Sequence, residues 1–413
     1  MNVPPSAANH PCSMIGPRPT IGLAALMRLA YAGESLQPVW NNLIARVAAD
    51  PADAAAMMDM SIVLQLSGER ERGLDMQATA LELERVYHRP HGRADGLRVV
   101  ALVVAGDLMA NTPLDFLLEG SDVDLRLVYV DSEGTPPAAI PEHDVAFMAV
   151  SESPSSVATL QGVAKALRAW PAPVMNGRPE RIAALTRDGV AALFAGDAHV
   201  LAPPVVQLSR QGLAALGNQG VDAAPTSAGG GFPFVVRPVG SHAGQGLSKL
   251  DGPAAVASYL GERADTEFYL SPFVDYRSAD GLYRKRRIAF IGKCPFISHL
   301  AVSEHWMVHY LNAGMTESAG KRAEEAAFMR DFDNDFAERH AAGFGSLCDK
   351  IGLDYFGIDC AETRDGRLLL FEADVAMIVH ALDPEPEFSY KKPVMRRLFE
   401  AFQQELSPKS RFA

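Results

Sequence analysis

The sequence predicts an α/β protein in three parts: an all-α N-terminal module, a doubly wound parallel sheet, and a C-terminal region built around an acidic hairpin. Three observations carry this. Up to about His88, apolar residues recur only at helical spacing. From Leu97, short apolar runs alternate with helical stretches in the β-α-β order that makes a parallel sheet. Near the C-terminus, G-I-D-C-A-E-T-R-D-G-R-L-L-L-F-E-A-D, beginning at Gly357, reads as two apolar strands turning at Asp365-Gly366.

The first part is expected over 21–90, after a mobile tail at 1–20. Asp50-Pro51 sets a proline at a helix start. Ser67-Gly68 breaks the pattern before a last helix from about Arg70 to Tyr87. Ser61, Ala78 and Ala80 stand at packing positions of helix pairs about 34 residues long, which resembles a degenerate tetratricopeptide repeat, with a plain four-helix cap as the alternative. Such a module points to a protein partner or a homodimer contact, and deleting residues 1–88 is expected to leave nucleotide binding intact. His88 to Gly96 is turn-rich and reads as a linker.

The second part is expected over 97–205. Arg98 to Ala105, Val123 to Val130 and Asp144 to Val150 are strands; Pro113 to Leu118 and Ser155 to Trp170 are helices. Ligands in such sheets bind beyond the strands' carboxyl ends. Gly106-Asp107 makes no dinucleotide fingerprint. Beyond it, a smaller unit (206–275) has Phe234 to Pro238 as a strand running into a Gly-rich loop. The last unit (276–413) has a strand at Tyr283 to Ile291, helices from about Ala319 to Ile351, the hairpin, and a closing helix from about Pro393.

Bulk composition narrows the function. The chain has 413 residues, with 38 Lys plus Arg against 50 Asp plus Glu, a formal charge of -12. That argues against nucleic acid or an anionic membrane as partner. No apolar run reaches the ~18–20 residues of a membrane span. Four scattered cysteines with no C-x-x-C fit a reducing cytoplasm.

The hairpin carries the chemistry. With Asp365-Gly366 as a two-residue turn, Arg364 faces Arg367 and Asp359 faces Glu372. Directly opposed carboxylates lie roughly 4.5–5.5 Å apart at Cβ and repel. Asp374 shares their face. Three carboxylates on one patch point to a cation, and hard oxygens suit Mg²⁺ with substrate phosphates. Upstream, Arg237 leads into Gly240-Ser241-His242-Ala243-Gly244-Gln245-Gly246. This is not a Walker loop, yet its glycines let backbone N–H groups approach an anion.

In this order the motifs resemble the ATP-grasp superfamily, in the branch of glutathione synthetase, D-alanine–D-alanine ligase and the glutamate-adding peptide ligases. The resemblance runs from about Leu97 to Phe402. It implies an ATP-grasp fold following a pre-ATP-grasp domain, ATP and Mg²⁺ as cofactors, and a carboxylate and an amine as substrates joined through an acyl phosphate. Val174-Met175-Asn176 resembles the strand ending in Asn of the first domain. Gly240, Ser241, His242, Gly244 and Gly246 match the phosphate flap. Phe268 to Asp275 resembles the adenine hinge, with Ser271, Phe273 and Val274 at the base and Asp275 on the ribose. Arg187 and Arg237 stand where phosphate-binding lysines are common, Arg287 where an Arg meets phosphate or substrate, and Arg284 beside it. Asp359, Glu372 and Asp374 match the metal ligands. Asp374 replaces the usual Asn, and Ser271 a common acidic or amide residue. An acyl-phosphate-forming kinase, a thioester ligase and a nucleotide-binding scaffold remain as alternatives. His305-x-x-x-His309 lacks the Glu of a zinc helix. With His380, it is a candidate substrate contact.

Overall fold

A computed structural model describes residues 18–93, 95–219, 231–241 and 244–407. The described chain is mixed α/β with three sheets. Four helices come first: α1 (Leu23–Tyr31), α2 (Gln37–Ala49), α3 (Ala54–Leu66) and α4 (Arg70–Leu83). Asp53 caps α3, accepting from the Ala56 amide at 2.9 Å, and is itself held by Arg46 and Arg18 at 2.9 and 2.6 Å. Helix α3 is buried nearly all round, because α1, α2 and α4 cover one side and a sheet covers the other.

That sheet is the doubly wound one. Its order is β1 (Val86–Pro90), β3 (Asp124–Tyr129), β2 (Arg98–Val103), β4 (Val145–Met148), β5 (Val174–Met175). Strands β2 to β5 are parallel, and β1 is antiparallel to β3. Helices α5 (Leu114–Leu117), α6 (Val157–Ala166), α7 (Pro179–Ala183) and α8 (Arg187–Leu193) belong to this region.

Strand β1 corrects the sequence reading, which ended a helix at Tyr87 and began a linker at His88. The residues alternate: Tyr87 and Arg89 are buried, with Arg89 paired to Asp115 at 2.6 Å. Val86 and His88 are half-buried, and His88 meets Asp124 at 2.5 Å. Long polar side chains at strand positions hid a period of two. The expected boundary at 90 therefore falls at the end of a sheet strand. The helices share a core with the sheet: Ala54, Met57, Met58 and Ala80 pack with Tyr87, Val99 and Ala101.

A four-stranded antiparallel sheet follows, in the order β7 (Val206–Ser209), β10 (Glu267–Pro272), β8 (Phe234–Pro238), β9 (Ser248–Leu250), backed by α9 (Arg210–Gln219) and α10 (Pro253–Gly261). The third sheet has the order β12 (Cys294–Ser303), β11 (Tyr283–Ile291), β13 (Tyr355–Glu362), β14 (Leu368–Asp374), β6 (Val200–Leu201). It carries α11 (Ala319–Asp331), α12 (Phe336–Arg339), α13 (Ala341–Ile351) and α14 (Lys391–Leu406). Among the described residues no helix is long and apolar enough to cross a membrane.

Asn176 stitches the first sheet to the third. It sits at φ 54° and is 1% exposed. Its Oδ1 accepts from the Tyr355 amide at 2.8 Å, its Nδ2 donates to the Tyr355 carbonyl at 2.7 Å, and its own amide donates to Asp354 at 2.7 Å. Three hydrogen bonds, two of them buried, thereby fix where β13 begins, two turns of pleat before Asp359.

The hairpin differs in detail from the expected two-residue turn. The Thr363 amide donates to the Arg367 carbonyl at 3.0 Å, and the Gly366 amide to Thr363 at 2.9 Å, with Gly366 at φ 81°. This is a three-residue loop closed by a glycine in the left-handed region. Arg364 therefore does not face Arg367, and Glu362 pairs with Leu368. Phe371 then bulges out of β14, and beyond it Asp359 pairs with Glu372 as expected. The loop and the bulge each displace the register by one residue and cancel.

Candidate active site

One cavity of about 700 Å³ lies between the second and third sheets, within the range of small-molecule sites. Val235 and Arg237 of β8, with Tyr269 and Ser271 of β10, line one wall. Strands β11 to β14 supply the other through Lys285, Arg287, His299, Asp359 and Glu372.

The register makes a transverse row on that second wall. His299 pairs with Arg287, Arg287 with Asp359, and Asp359 with Glu372. Asp359 is 1% exposed. Its Oδ1 accepts from Arg287 Nε at 2.8 Å, and its Oδ2 from Arg287 Nη2 at 3.0 Å and Lys285 Nζ at 2.6 Å. Burial works to raise the Asp359 pKa, but Arg287 and Lys285 outweigh it and hold the carboxyl well below its ordinary range. Glu372 is likewise opposed by burial and kept ionised by Arg187, which donates to its Oε2. Thr186 makes this possible: it caps α8 by accepting from the Gly189 amide at 3.0 Å, so Arg187 opens that helix beside β14.

Arg187, Lys285 and Arg287 thus balance the charge of the two opposed carboxylates. Among the described residues no three His, Cys, Asp or Glu side chains gather closely enough to hold a metal unaided. Of the three expected ligands, Asp359 and Glu372 face each other across β13 and β14. Asp374 stands opposite Gly357 and accepts from the Ala376 amide at 2.9 Å. Two hard carboxylates fit Mg²⁺, which completes its shell with phosphates and water.

Of the other expected residues, Arg237 is 8% exposed. Its guanidinium reaches back to Ser241, with Nε donating to Oγ at 3.1 Å. Burial and the neighbouring Arg187 lower its pKa to about 10, so it stays charged at neutral pH. Gly240 and Gly244 line the cavity at φ 74° and 75° with open space where a Cβ would stand. Gly246 lies off the cavity lining, and its carbonyl accepts from Tyr259 at 2.7 Å, anchoring the loop. His242 falls outside the described residues. Ser271, Phe273 and Val274 line the cavity, and Phe273 lies between Trp306, at 5.6 Å between ring centroids, and Lys249, whose Nζ is 4.7 Å from its ring.

Two further expected site residues lie off the cavity lining. Asp275 is not on the cavity wall; both its oxygens accept from Arg277. Arg284 points away and is held by Asp280 at 2.7 Å and by Glu324 at 2.5 Å. Alternation along β11 puts Arg284 and Arg286 on one face and Lys285 and Arg287 on the other. Parity with Arg287 was the signal for Lys285. Also unforeseen are His299, Glu152 beyond the carboxyl end of β4, and Tyr31 of α1, all of which line the cavity. Burial, then Asp374, raises the Glu152 pKa to about 7. His309 and His380 line the cavity, whereas His305 does not.

No protein-family profile matches the chain, and no curated protein does. Solved structures align with most of it at low identity. A RimK domain ATP-grasp protein from Sphaerobacter thermophilus is 12% identical, with a TM-score of 0.43 over 75% of this chain and 99% of that one. The VanG D-Ala:D-Ser ligase from Enterococcus faecalis is 12% identical, with a TM-score of 0.42 over 74% and 100%. A D-alanine–D-alanine ligase from Bacillus anthracis complexed with ATP is 12% identical, with a TM-score of 0.44 over 76% and 98%.

Proposed function

We propose that the protein is an ATP-dependent carboxylate–amine ligase of the ATP-grasp type. The observation that carries this reading is the concentration of charge in one cleft: Arg187, Arg237, Lys285 and Arg287 converge on Asp359 and Glu372 between two sheets. Cations so placed suit a nucleotide's phosphates, and the open backbone at Gly240 and Gly244 suits a loop that closes over them. Adenine would lie along Ser271, Phe273 and Val274.

Asp359 and Glu372 would hold Mg²⁺, which when bound neutralises phosphate charge. The chain's own part is positioning. Arg187 and Lys285, freed from the carboxylates, turn to phosphate oxygens, and Arg287 orients the acid substrate. A carboxylate oxygen of that substrate attacks the γ-phosphorus, the bond to the bridging oxygen breaks, and ADP leaves. The amine nitrogen then attacks the acyl carbon, phosphate leaves, and one proton is released with the new amide. Arg237 and Arg287 oppose the charge that spreads over the equatorial oxygens. Loop closure keeps water from the acyl phosphate.

The purified protein should release ADP from Mg-ATP only when an acid and an amine are both present, and Glu372→Gln should abolish release. ADP formation that needs no amine would sink the ligase reading in favour of a kinase. Release untouched by Glu372→Gln would sink the metal assignment.

A further inference from the structure

We infer that the cavity lobe bounded by Tyr31, His380 and Leu311 recognises a bulky apolar or aromatic group on the substrate, and that the N-terminal helices build one wall of it. The inference rests on the ligase reading for its reaction but on separate residues for its geometry. Tyr31 is the last residue of α1 and is 40% exposed. Its ring meets His380 edge-on at 5.2 Å between centroids, and Phe116 backs the same imidazole at 6.0 Å. The loop bearing His380 adjoins the reacting end, because Arg287 Nη1 donates to the Ile378 carbonyl at 3.1 Å.

Two features give the lobe its preference. First, its lining includes exposed apolar side chains: Tyr31, Met307 at 37% exposure and Leu311 at 71% all border the cavity. Large apolar side chains left open along a cavity lining favour a ligand that covers them. Its polar lining is uncharged or already paired. Burial first, and then Arg287, Lys285 or Lys391 nearby, depress the pKa values of His299, His309 and His380, the last to about 4. Lys391 is spent on Tyr310 at 2.7 Å and Asp383 at 2.9 Å. A charged substituent would lose its water here without gaining a free partner, whereas an apolar one covers the exposed apolar side chains.

Helix α1 is fixed firmly enough to serve as a wall. The Leu23 amide donates to Asp115 at 2.8 Å, the Gly22 amide to Asp59 at 3.1 Å, and Arg28 pairs with Glu119 at 2.8 Å. Leu382 and Ile378, on the loop that carries His380, pack into the same core as α1 and α3. The helices therefore support the lobe from behind as well as lining it.

Phenylalanine and glycine are suitable probes, since each carries both a carboxylate and an amine and they differ only in the group at issue. Calorimetry on the full chain, saturated with Mg²⁺ and a non-hydrolysable ATP analogue, should show phenylalanine, as one enantiomer or the other, binding at least tenfold more tightly than glycine. Tyr31→Ala should erase most of that gap, Tyr31→Phe should keep it, and neither should alter affinity for the analogue. Leu311→Ser, at a site too exposed to matter for folding, should narrow the gap about threefold. Equal affinity for the two probes, binding of neither, or a gap that survives both Tyr31→Ala and Leu311→Ser overturns the inference. A gap that persists in a protein whose ADP release never requires an acid–amine pair upholds the lobe and removes the ligase reading instead.

Discussion

The two faces of β11 carry the same kind of residue and put it to opposite use. Lys285 and Arg287 look into the cavity, where both meet the buried Asp359. Arg284 and Arg286 look the other way. Arg284 is tied to Asp280 and Glu324, and Arg286 lies 5.0 and 4.6 Å from the rings of Phe328 and Phe336. Four consecutive cations therefore divide by strand parity alone. The inner pair holds charge that can be handed to a ligand, while the outer pair holds the sheet to α11 and α12.

The sharpest way to break this comparison is Arg287→Met. It leaves Asp359 buried with Lys285 alone, and removing one partner of a buried ion pair costs about 3–5 kcal/mol. Urea unfolding at pH 7 should register a loss near the lower end of that range, and ADP release should disappear. A variant as stable as the parent would show that Asp359 does not depend on the inner face.

A smaller effect tests another part of the cavity lining, Glu152. The Glu152 pKa is raised to about 7, from an ordinary value near 4.5, chiefly by burial and then by Asp374. Between those two pH values the folded chain binds more protons than the unfolded one, so stability falls as pH rises through that window. Glu152 is only partly buried, so the expected loss is about 1–2 kcal/mol after screening. Glu152→Gln should flatten the unfolding free energy between pH 4.5 and 7. A slope unchanged in Glu152→Gln would place the raised proton affinity elsewhere.

How much of this was legible in sequence depended on whether the signal was local. The strand Phe234–Pro238 has the bounds its apolar run implies, because a buried strand announces itself in consecutive residues, and the strand at Tyr283–Ile291 also has the bounds expected of it. The pairing of Asp359 with Glu372 was reached through an incorrect turn, since the extra loop residue and the bulge at Phe371 offset each other. Strand β1 was missed because Arg89 is buried against Asp115 from another part of the chain. The same limit hid Tyr31 and His299. No spacing within α1 shows that its last residue meets His380, and His299 joins the row only through pairing across β11. Arg284 is different in kind. The alternation that excludes it was readable from Arg287 alone.

Arg284→Met sharpens the comparison from its other side. Its partners Asp280 and Glu324 are 48% and 37% exposed, and pairs open to water contribute about 0.2–1 kcal/mol each. The methionine keeps much of the stem that packs along the sheet. The unfolding free energy should therefore fall by about 2 kcal/mol at most. Affinity for a Mg-bound ATP analogue, read by calorimetry, should be unchanged, since no atom of Arg284 borders the cavity. A tenfold loss of nucleotide affinity in a stably folded Arg284→Met protein would mean that the outer face acts on the ligand too, and that parity along β11 does not divide the work.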